Sequence, residues 1–351
     1  MTTLSTEALE ERRKALDEQF ERGSLSGMWQ ARQGTQGPLE PWVWHWQDIR
    51  AGLQEAGELY RVPEDVRMRT VQLTNPVLRA QKGTSRTLQV SVQLLKPSER
   101  APAHRHTPPQ PRFIVESGGA YTVVDGEQIF MNPGDLIVTP SLSWHDHANP
   151  SQENAIWLDI HDPHLVNYLG ATLNERFGEG DAQPISKQEG YHRQRLGLFR
   201  TQQFAGRHGA FPLKYPWQET LAALEELAGA HEDTPYDGVM LEYRNPLDGG
   251  PAMPTIGCHA QMLRPGETTR SHRHTDTTIY HVVRGDGMTT VGQDDKEVLR
   301  WGERDCFIVP PWQWHRHENE STKEPAILFS VTDRPAIEAL GYHREEGEGG
   351  R

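Results

Sequence analysis

The chain has 351 residues, of which 35% are hydrophobic, and its 36 basic and 49 acidic side chains give a formal net charge of −13. At roughly 150 residues per domain, this length predicts two domains or slightly more, and 10 Trp, 9 Tyr and 9 Phe can supply packed cores. The composition excludes a disulfide-dense miniprotein and global disorder. The acidic charge argues against nucleic acid as a partner, and no apolar run is long enough to span a membrane.

The N-terminal residues are charged where a secretory signal needs an apolar segment, so we expect a cytoplasmic protein. Cys258 and Cys306 lack the CxxC spacing of a zinc or redox motif. We therefore expect two reduced thiols in the core.

Two features are predicted near the N-terminus. Residues 6–23 place Leu9, Leu16 and Phe20 on one helical face, which predicts an amphipathic helix, with a solvated charged helix as the alternative. The segment Pro41–Ile49, PWVWHWQDI, is too aromatic for a linker. It predicts an arm that packs over a barrel or over a neighbouring subunit.

The same histidine pattern occurs twice. HRHT at 104–107 recurs at 272–275, and WHDHAN at 144–149 recurs as WHRHEN at 314–319, with offsets of 168 and 170 residues. Between these motifs lie segments rich in Val, Ile, Thr and aromatic residues, broken by Gly, Pro, Asn and Asp. The pattern predicts two similar domains built from short antiparallel strands.

The connection between the copies differs from both. Residues 176–213 are rich in Gly, Gln, Arg and His and predict irregular structure, whereas WQETLAALEELAG at 217–229 predicts a helix. We therefore divide the chain into an N-terminal helical and aromatic arm (1–80), a first β domain (81–175), a helical connection (176–245), a second β domain (246–345) and a tail (346–351).

The histidine spacing predicts a metal site. HxH on a strand puts two imidazoles on one face, because side chains alternate with period two, and a histidine from a later strand can complete a set of three. His104, His106 and His145 form such a set, and the last lies in a G-x5-P-x4-H-x3-N run from Gly134 to Asn149. Fe(II), Mn(II), Zn(II) and Cu(II) all accept these ligands, so the residues leave the metal open.

These two motifs resemble those of the cupin superfamily in both copies. The usual cupin glutamate after HxH is missing, since Pro111 stands there, and Leu142 replaces the glycine of the second motif. A triad of histidines alone resembles the bicupin ring-cleaving dioxygenases that act on gentisate and salicylates. The segments WVWHW, LTNP, APAHRHT, RF, YPW and NPLDGGPAMPTIGC are also similar to that family.

The resemblance implies an all-β bicupin fold of two jelly-roll barrels, with helical segments at the N-terminus and between the domains. It implies an extradiol-type dioxygenase of aromatic degradation that uses O₂ to cleave a 2-hydroxybenzoate between the carboxyl- and hydroxyl-bearing carbons. One catalytic Fe(II) per chain, bound by His104, His106 and His145, and a homo-oligomer, commonly a tetramer, are further implications. The fold alone also permits a Mn or Zn isomerase or hydrolase, oxalate-type chemistry, or a non-catalytic sensor.

The two copies differ around their histidines. At the offsets above, Arg112 is replaced by Tyr280 and Asp159 by Phe329. A guanidinium suits an aromatic carboxylate and a carboxylate can orient imidazoles, so the first copy is the better catalytic candidate. Arg112 is expected to stabilise the substrate carboxylate or oxygen, and His147, on the strand face of the third ligand, resembles a family histidine that hydrogen-bonds substrate or oxygen.

The second copy retains His272, His274 and His315, so it could bind a second metal ion. Histidine sets without supporting groups are often structural remnants. A role in oligomer packing is therefore favoured for this copy.

The resemblance implies substrate contacts around the first triad, from Arg69, Gln89, Gln93, Gln110 and Arg112. Three departures predict a remodelled pocket: prolines at 108, 109 and 111 stiffen the chain, Gln89 stands where relatives commonly have Trp, and WLDIHD puts Ile160 and His161 into a turn. Gln89 or Gln110 could donate to an oxygen-rich ring substituent. We therefore expect gentisate and substituted salicylates, such as 5-nitrosalicylate, equally.

Overall fold

The computed structural model describes residues 37–178, 182–196 and 213–349, with scattered residues between Ser5 and Glu18. The apolar face predicted for the N-terminal helix, with Leu9, Leu16 and Phe20, lies outside the described residues. The chain divides into two compact units, Met1–Pro38 and Leu39–Arg351. All the strands and helices described below lie in the second unit.

Short strands dominate the larger unit. As far as β12 they are β1 (Trp42–Trp44), β2 (Thr70–Gln72), β3 (Gln89–Leu95), β4 (Arg100–His106), β5 (Gln110–Glu116), β6 (Tyr121–Val124), β7 (Glu127–Phe130), β8 (Leu136–Thr139), β9 (His145–Ala148), β10 (Ala155–His161), β11 (Asn174–Arg176) and β12 (Leu213–Tyr215). The others are β13 (Val239–Glu242), β14 (Gly257–Leu263), β15 (His272–His274), β16 (Thr278–Arg284), β17 (Gly287–Val291), β18 (Glu297–Trp301), β19 (Cys306–Val309), β20 (His315–Asn319), β21 (Ala326–Thr332) and β22 (Glu345–Gly347).

The helices lie outside the repeated strands or at their ends. They are α1 (Trp46–Leu59), α2 (Pro163–Tyr168), α3 (Tyr191–Leu196), α4 (Trp217–Ala230) and α5 (Arg334–Ala339), with 3₁₀ turns at Pro76–Leu78 and Gln293–Asp295. The predicted helix at 217–229 is confirmed as α4. No helix in the described part of the chain has the length and apolar character that a bilayer crossing requires.

Each copy of the repeat folds into two facing antiparallel sheets. The first copy has the strand orders β12-β8-β5-β10-β3-β2 and β11-β4-β9-β6-β7, and the second has β1-β19-β16-β21-β14-β13 and β18-β17-β20-β15-β22. This confirms the expected all-β bicupin fold. The two barrels are built in the same way, strand for strand.

The barrels exchange their edge strands. β1 precedes the first barrel but pairs with β19 of the second, Trp42 opposite Ile308, whereas β12 precedes the second barrel and pairs with β8 of the first, Leu213 opposite Val138. The aromatic arm therefore packs on a barrel, as one of its two predicted alternatives states. That barrel is the one formed later in the chain.

β1 leads into α1, and β12 leads into α4. The N-terminus of each helix is capped by an aspartate of the barrel with which its strand pairs. The Trp46 N–H donates to Asp305 Oδ1 at 2.7 Å, and the Trp217 N–H donates to Asp135 Oδ1 at 2.9 Å. A carboxylate satisfies an otherwise unpaired helix N–H and complements the helix dipole. These two aspartates tie the barrels together.

Apolar side chains fill each barrel, and a further cluster joins the two. Ile114 and Trp157 lie in the core of the first barrel and Phe307 in that of the second. In the joining cluster, Phe113 stacks on Phe329 with ring centroids 4.3 Å apart. The faces of the larger sheets that point away from the barrel interiors thus form the interface.

Two sequence expectations need correction. Ile160 and His161 do not form a turn, because β10 continues through both and pairs with β3, His161 opposite Gln89. Phe329 is not the counterpart of Asp159. Asp159 lies opposite Arg112, whereas Ser330 lies opposite Tyr280, since the chain from Asn319 to Ser330 is one residue longer than the chain from Asn149 to Asp159.

Cys258 and Cys306 are buried free thiols, as expected. Burial raises the pKa of both. Neither is therefore suited to act as a thiolate nucleophile.

Candidate metal centre and substrate cavity

Three histidines converge at the open end of the first barrel. His104 and His106 lie two residues apart on β4, and His145 on β9 lies directly opposite His104. Their candidate ligand nitrogens all lie within 4.8 Å of one another. Period-two alternation therefore brings the predicted HxH pair and the third histidine together.

Backbone carbonyls orient all three rings. Nδ1 of His104 donates to Pro102 O at 2.8 Å, that of His106 to Pro108 O at 2.7 Å, and that of His145 to the carbonyl of residue 143 at 2.9 Å. Because a carbonyl only accepts, each ring carries its proton on Nδ1 and presents an Nε2 lone pair.

All three imidazole rings are uncharged, so each can offer a lone pair to a metal ion. Burial, opposed by the carbonyl of Pro102, lowers the pKa of His104 to about 4, and burial lowers the pKa values of His106 and His145 as well. Nε2 of His145 is buried and has no hydrogen-bond partner among the described residues. Three neutral imidazoles with converging nitrogens fit a divalent transition metal.

Arg112 lies behind this centre and is fully buried. Its Nη1 donates to Thr139 Oγ1 and its Nη2 to Gln110 Oε1, both at 2.5 Å, and its Nε lies 3.1 Å from Asp159 Oδ1. Burial lowers the pKa of Arg112 to about 10, so it remains charged. The guanidinium does not line the cavity described below, which differs from the direct substrate contact expected for it.

Gln110 connects Arg112 to Asp159. Its amide nitrogen donates to Asp159 Oδ1 at 2.6 Å, and Trp157 Nε1 donates to the same oxygen at 3.0 Å. Burial raises the pKa of Asp159, although the nearby Arg112 opposes this. One hydrogen of the Gln110 amide is thus engaged within the protein, and donation of the other to a ring substituent stays a prediction.

A cavity of about 470 Å³ opens beside His104 and His106. Polar side chains line it from the segment before β2 and from β2, β3, β5, β10, α2 and β11, and Met68, Pro108, Pro163 and Leu173 contribute apolar surface. The polar residues include Arg67, Thr70, Gln72, Gln89, Ser91, Gln110, Asp159, His161, Asn167 and Asn174. The volume is of the size that holds a small aromatic acid.

Arg67, rather than Arg69, faces the cavity. Arg67 lies at a bend before β2 begins, lines the cavity and is close enough to His104 for its charge to contribute to that ring's lowered pKa. Arg69 is buried, and its Nη2 donates to Glu99 Oε1 at 2.7 Å and to Tyr60 O at 2.5 Å. The Arg69 guanidinium is thus bonded to protein groups and does not line the cavity, and the substrate contact expected for it stays a prediction.

Three further side chains surround the triad. His147 is buried next to His145 on β9, with ring centroids 6.1 Å apart, and its Nδ1 has no partner among the described residues. Gln93 is buried with both amide atoms equally unpartnered. His161 lines the cavity 5.7 Å from the His106 ring and was not predicted as a site residue, although its departure from the family pattern was visible in WLDIHD.

The second copy assembles the same triad. The ligand atoms of His272, His274 and His315 also lie within 4.8 Å of one another, and all three residues are buried. Tyr280 and Ser330 occupy the places of Arg112 and Asp159. The buried charge pair beside the first triad is thus replaced by neutral side chains.

Fold and site together define a bicupin protein with a candidate metal centre, and comparisons with known proteins agree. The cupin domain family matches residues 91–161 and 260–332. The chain is 38% identical to a 5-aminosalicylate 1,2-dioxygenase of a Comamonas species, over 95% of this chain and 89% of that protein. It is 38% identical to a gentisate 1,2-dioxygenase of Aquipseudomonas alcaligenes, over 87% and 86% of the two chains.

A solved structure agrees as well. Salicylate 1,2-dioxygenase from Pseudoaminobacter salicylatoxidans, determined as adducts with gentisate, superposes with a TM-score of 0.87 at 28% identity, covering all of this chain and 96% of the other. The chain belongs to the bicupin family of ring-cleaving 1,2-dioxygenases. This membership favours a ring-cleaving dioxygenase over the isomerase, hydrolase, oxalate-type and sensor alternatives.

Proposed function

We propose that the chain is an Fe(II)-dependent dioxygenase that cleaves the ring of a 2-hydroxybenzoate between its carboxyl- and hydroxyl-bearing carbons, with O₂ as co-substrate. The observation that carries this proposal is a neutral three-histidine centre in the wall of a cavity that also presents Arg67. A carboxylate substrate needs such a cation, and a ligand set without protein carboxylates leaves positions for substrate and O₂.

Iron held by His104, His106 and His145 would supply a Lewis acid for the substrate oxygens and a route for electrons between the ring and O₂. The protein's own part is to orient the aromatic acid. Arg67 has no ion pair or hydrogen bond with the described residues, so we assign it the substrate carboxylate. One face of the ring is then directed toward the histidines.

Arg112 acts at a distance. It is fully buried, and its charge contributes to the lowered pKa values of His104, His106 and His145. A fixed positive charge in a dry site stabilises negative charge that develops on oxygen or on the ring. Gln110 and Asp159 are positioning residues, because they hold the guanidinium in place.

His147 is the candidate for direct contact with an oxygen atom. It is buried, and burial holds its pKa well below the ordinary value, so the ring is neutral and carries one N–H. Its Nδ1 has no partner among the described residues. A neutral imidazole with an open nitrogen can donate to or accept from an oxygen next to His145.

The cavity favours a ring with a hydrogen-bond donor. The Gln89 amide nitrogen donates to Thr84 Oγ1 at 3.2 Å and to Val90 O at 3.1 Å, so Gln89 offers the cavity its oxygen, an acceptor. We therefore propose a hydroxyl- or amino-substituted 2-hydroxybenzoate, such as gentisate or 5-aminosalicylate, ahead of 5-nitrosalicylate.

The test is a comparison of kcat/KM, from oxygen uptake by the Fe(II)-reconstituted chain, for gentisate, 5-aminosalicylate, salicylate, 5-chlorosalicylate, 5-nitrosalicylate and 1-hydroxy-2-naphthoate. We expect the first two rings to be preferred and Gln89→Leu to reduce that preference. A preference for the nitro ring would contradict the acceptor assignment. Absence of uptake with every ring, despite bound iron, would contradict the dioxygenase proposal.

A homotetramer in the cytoplasm remains the expectation that the family resemblance provides. Light scattering of the full chain in solution measures the number of subunits. A monomer would contradict the expected assembly.

A further inference from the structure

The second triad is as well built for a metal as the first. His272 and His274 lie on β15, and His315 on β20 lies directly opposite His272. The ring centroids are 4.2 to 5.7 Å apart, compared with 4.3 to 5.5 Å in the first triad. The three rings are therefore spaced as closely as those of the first triad, although Tyr280 and Ser330 stand in place of Arg112 and Asp159.

Backbone carbonyls again fix two of the rings. Nδ1 of His274 donates to Asp276 O at 3.0 Å, and Nδ1 of His315 donates to Gln313 O at 3.1 Å, which repeats the two-residue pattern of the first triad. Nε2 of His315 is buried and has no partner among the described residues. An unpaired buried nitrogen is costly, and a bound cation would satisfy it.

A carboxylate faces this triad from the loop before β13. Asp237 Oδ1 lies 3.7 Å from His272 Nε2, and Thr234 Oγ1 donates to the other carboxylate oxygen at 3.0 Å. With metal–ligand bonds of about 2.1 Å, two ligands of a tetrahedral ion lie about 3.4 Å apart. Asp237 thus lies beside His272, but its oxygens are not within 4.8 Å of all three rings, so the carboxylate must move toward a bound ion to become a fourth ligand.

The strand register of the two copies shows which residue of the first copy corresponds to Asp237. β2 pairs with β3 so that Thr70 lies opposite Gln93, and β13 pairs with β14 so that Met240 lies opposite Gln261, the counterpart of Gln93. Counting back three residues from Thr70 and from Met240, into the segments that precede β2 and β13, leads to residue 67 in the first copy and residue 237 in the second. The position that presents Arg67 to the first cavity thus presents an aspartate to the second triad.

Charge and access distinguish the two centres further. Asp276 and Glu345 place negative charge near His274, whereas Arg67 and Arg112 place positive charge near the first triad. Tyr236 lies against His272 with ring centroids 5.6 Å apart, and its hydroxyl donates to Glu348 O at 3.3 Å. The second centre is thus suited to a cation and is partly covered by an aromatic ring.

We propose that the second barrel holds a divalent metal ion through His272, His274, His315 and Asp237, as a closed structural centre that takes no part in turnover. Four protein ligands are typical of structural sites, whereas catalytic sites keep a position open. This inference goes beyond the proposed reaction and does not depend on it.

Cobalt loading of the full chain tests the proposal. The chain is stripped with a chelator without oxygen, reloaded with Co(II) and desalted, and its cobalt content and visible spectrum are measured. We expect two Co(II) per chain in the native sequence. We expect one in the His104→Ala/His145→Ala variant, with the intense bands of four-coordinate Co(II), unchanged by gentisate.

The complementary variant, His272→Ala/His315→Ala, should retain one Co(II) whose weaker spectrum responds to gentisate. One Co(II) in the native chain, lost completely in His104→Ala/His145→Ala, would overturn the proposal. These readouts need no activity, so they stand even if the proposed reaction is wrong.

Asp237→Asn tests the fourth ligand without removing a ring. Loss of an outer-sphere partner of a metal site costs about 10- to 100-fold in affinity, so loss of a carboxylate ligand should weaken cobalt binding at least that much. The bands of the second centre should also shift. Asp233→Asn is the matched control, because Asp233 pairs with Arg264 at 2.6 Å. Equal spectra and affinities in both variants would show that Asp237 is not a ligand.

Discussion

Arg67 and Arg69 are two residues apart, and we predict opposite consequences for their removal. In Arg67→Met the substrate carboxylate loses a charge-assisted contact worth about 1.5 to 3 kcal/mol, which corresponds to a fall in kcat/KM of roughly 10- to 150-fold. The thermal midpoint should stay unchanged, because the Arg67 side chain makes no ion pair within the described residues.

Arg69→Met should instead destabilise the protein. Its guanidinium bonds Glu99 at 2.7 and 2.9 Å, and loss of one member of a buried pair costs about 3 to 5 kcal/mol. Glu99 is partly exposed, so we expect about 2 to 3 kcal/mol and a fall in Tm of about 5 °C. The folded fraction should keep its kcat/KM.

The assay is paired: oxygen uptake at varied substrate concentration, and thermal unfolding, on the same preparations. Loss of kcat/KM in Arg69→Met at unchanged Tm, with native kinetics in Arg67→Met, would refute the assignment of Arg67 to the cavity and of Arg69 to the pair with Glu99.

Three further predictions concern the junction of the barrels. Asp305→Ala and Asp135→Ala each remove a helix cap and should cost about 1 to 2 kcal/mol in thermal unfolding; an unchanged Tm in both would contradict the capping role. Phe329→Ala leaves Phe113 without its stacking partner and should cost about 3 to 5 kcal/mol, measured by denaturant unfolding, whereas a cost below 1 kcal/mol would contradict the shared core. Burial raises the pKa of Asp333 from 3.8 to about 6, so its contribution to stability is present below pH 3.8 and is lost as the pH rises through 6. Asp333→Asn should therefore flatten the dependence of Tm on pH between 4 and 6, and an unchanged slope would contradict the raised pKa.

The metal centre could be predicted because its geometry is local. Two histidines spaced by one residue share a strand face whatever the rest of the chain does. The repeat at 168 and 170 residues then points to the strand that supplies the third ligand. The strands and α4 followed from composition and periodicity in the same way.

The contacts around the centre depend on strand pairing, which local sequence does not determine. Gln110 receives its partner Asp159 from a strand 49 residues later, so its amide looked free in the sequence. Arg67 and Arg69 both precede β2, so strand alternation does not separate them, and their different surroundings depend on the bend at residue 67. The exchanged edges β1 and β12 could not be predicted either, because each pairs with the barrel that is more distant in the chain.

The most direct test of the proposed reaction is to follow both atoms of oxygen. The Fe(II)-loaded chain is given gentisate or 5-aminosalicylate under ¹⁸O₂, and the product mass is measured beside the His104→Ala/His145→Ala and His272→Ala/His315→Ala variants. We predict one O₂ consumed per ring, both labelled atoms in the ring-opened product, and activity lost only in the first variant. Incorporation of a single labelled atom, or activity that survives loss of His104 and His145, would contradict the assignment of a dioxygenase centre to the first barrel.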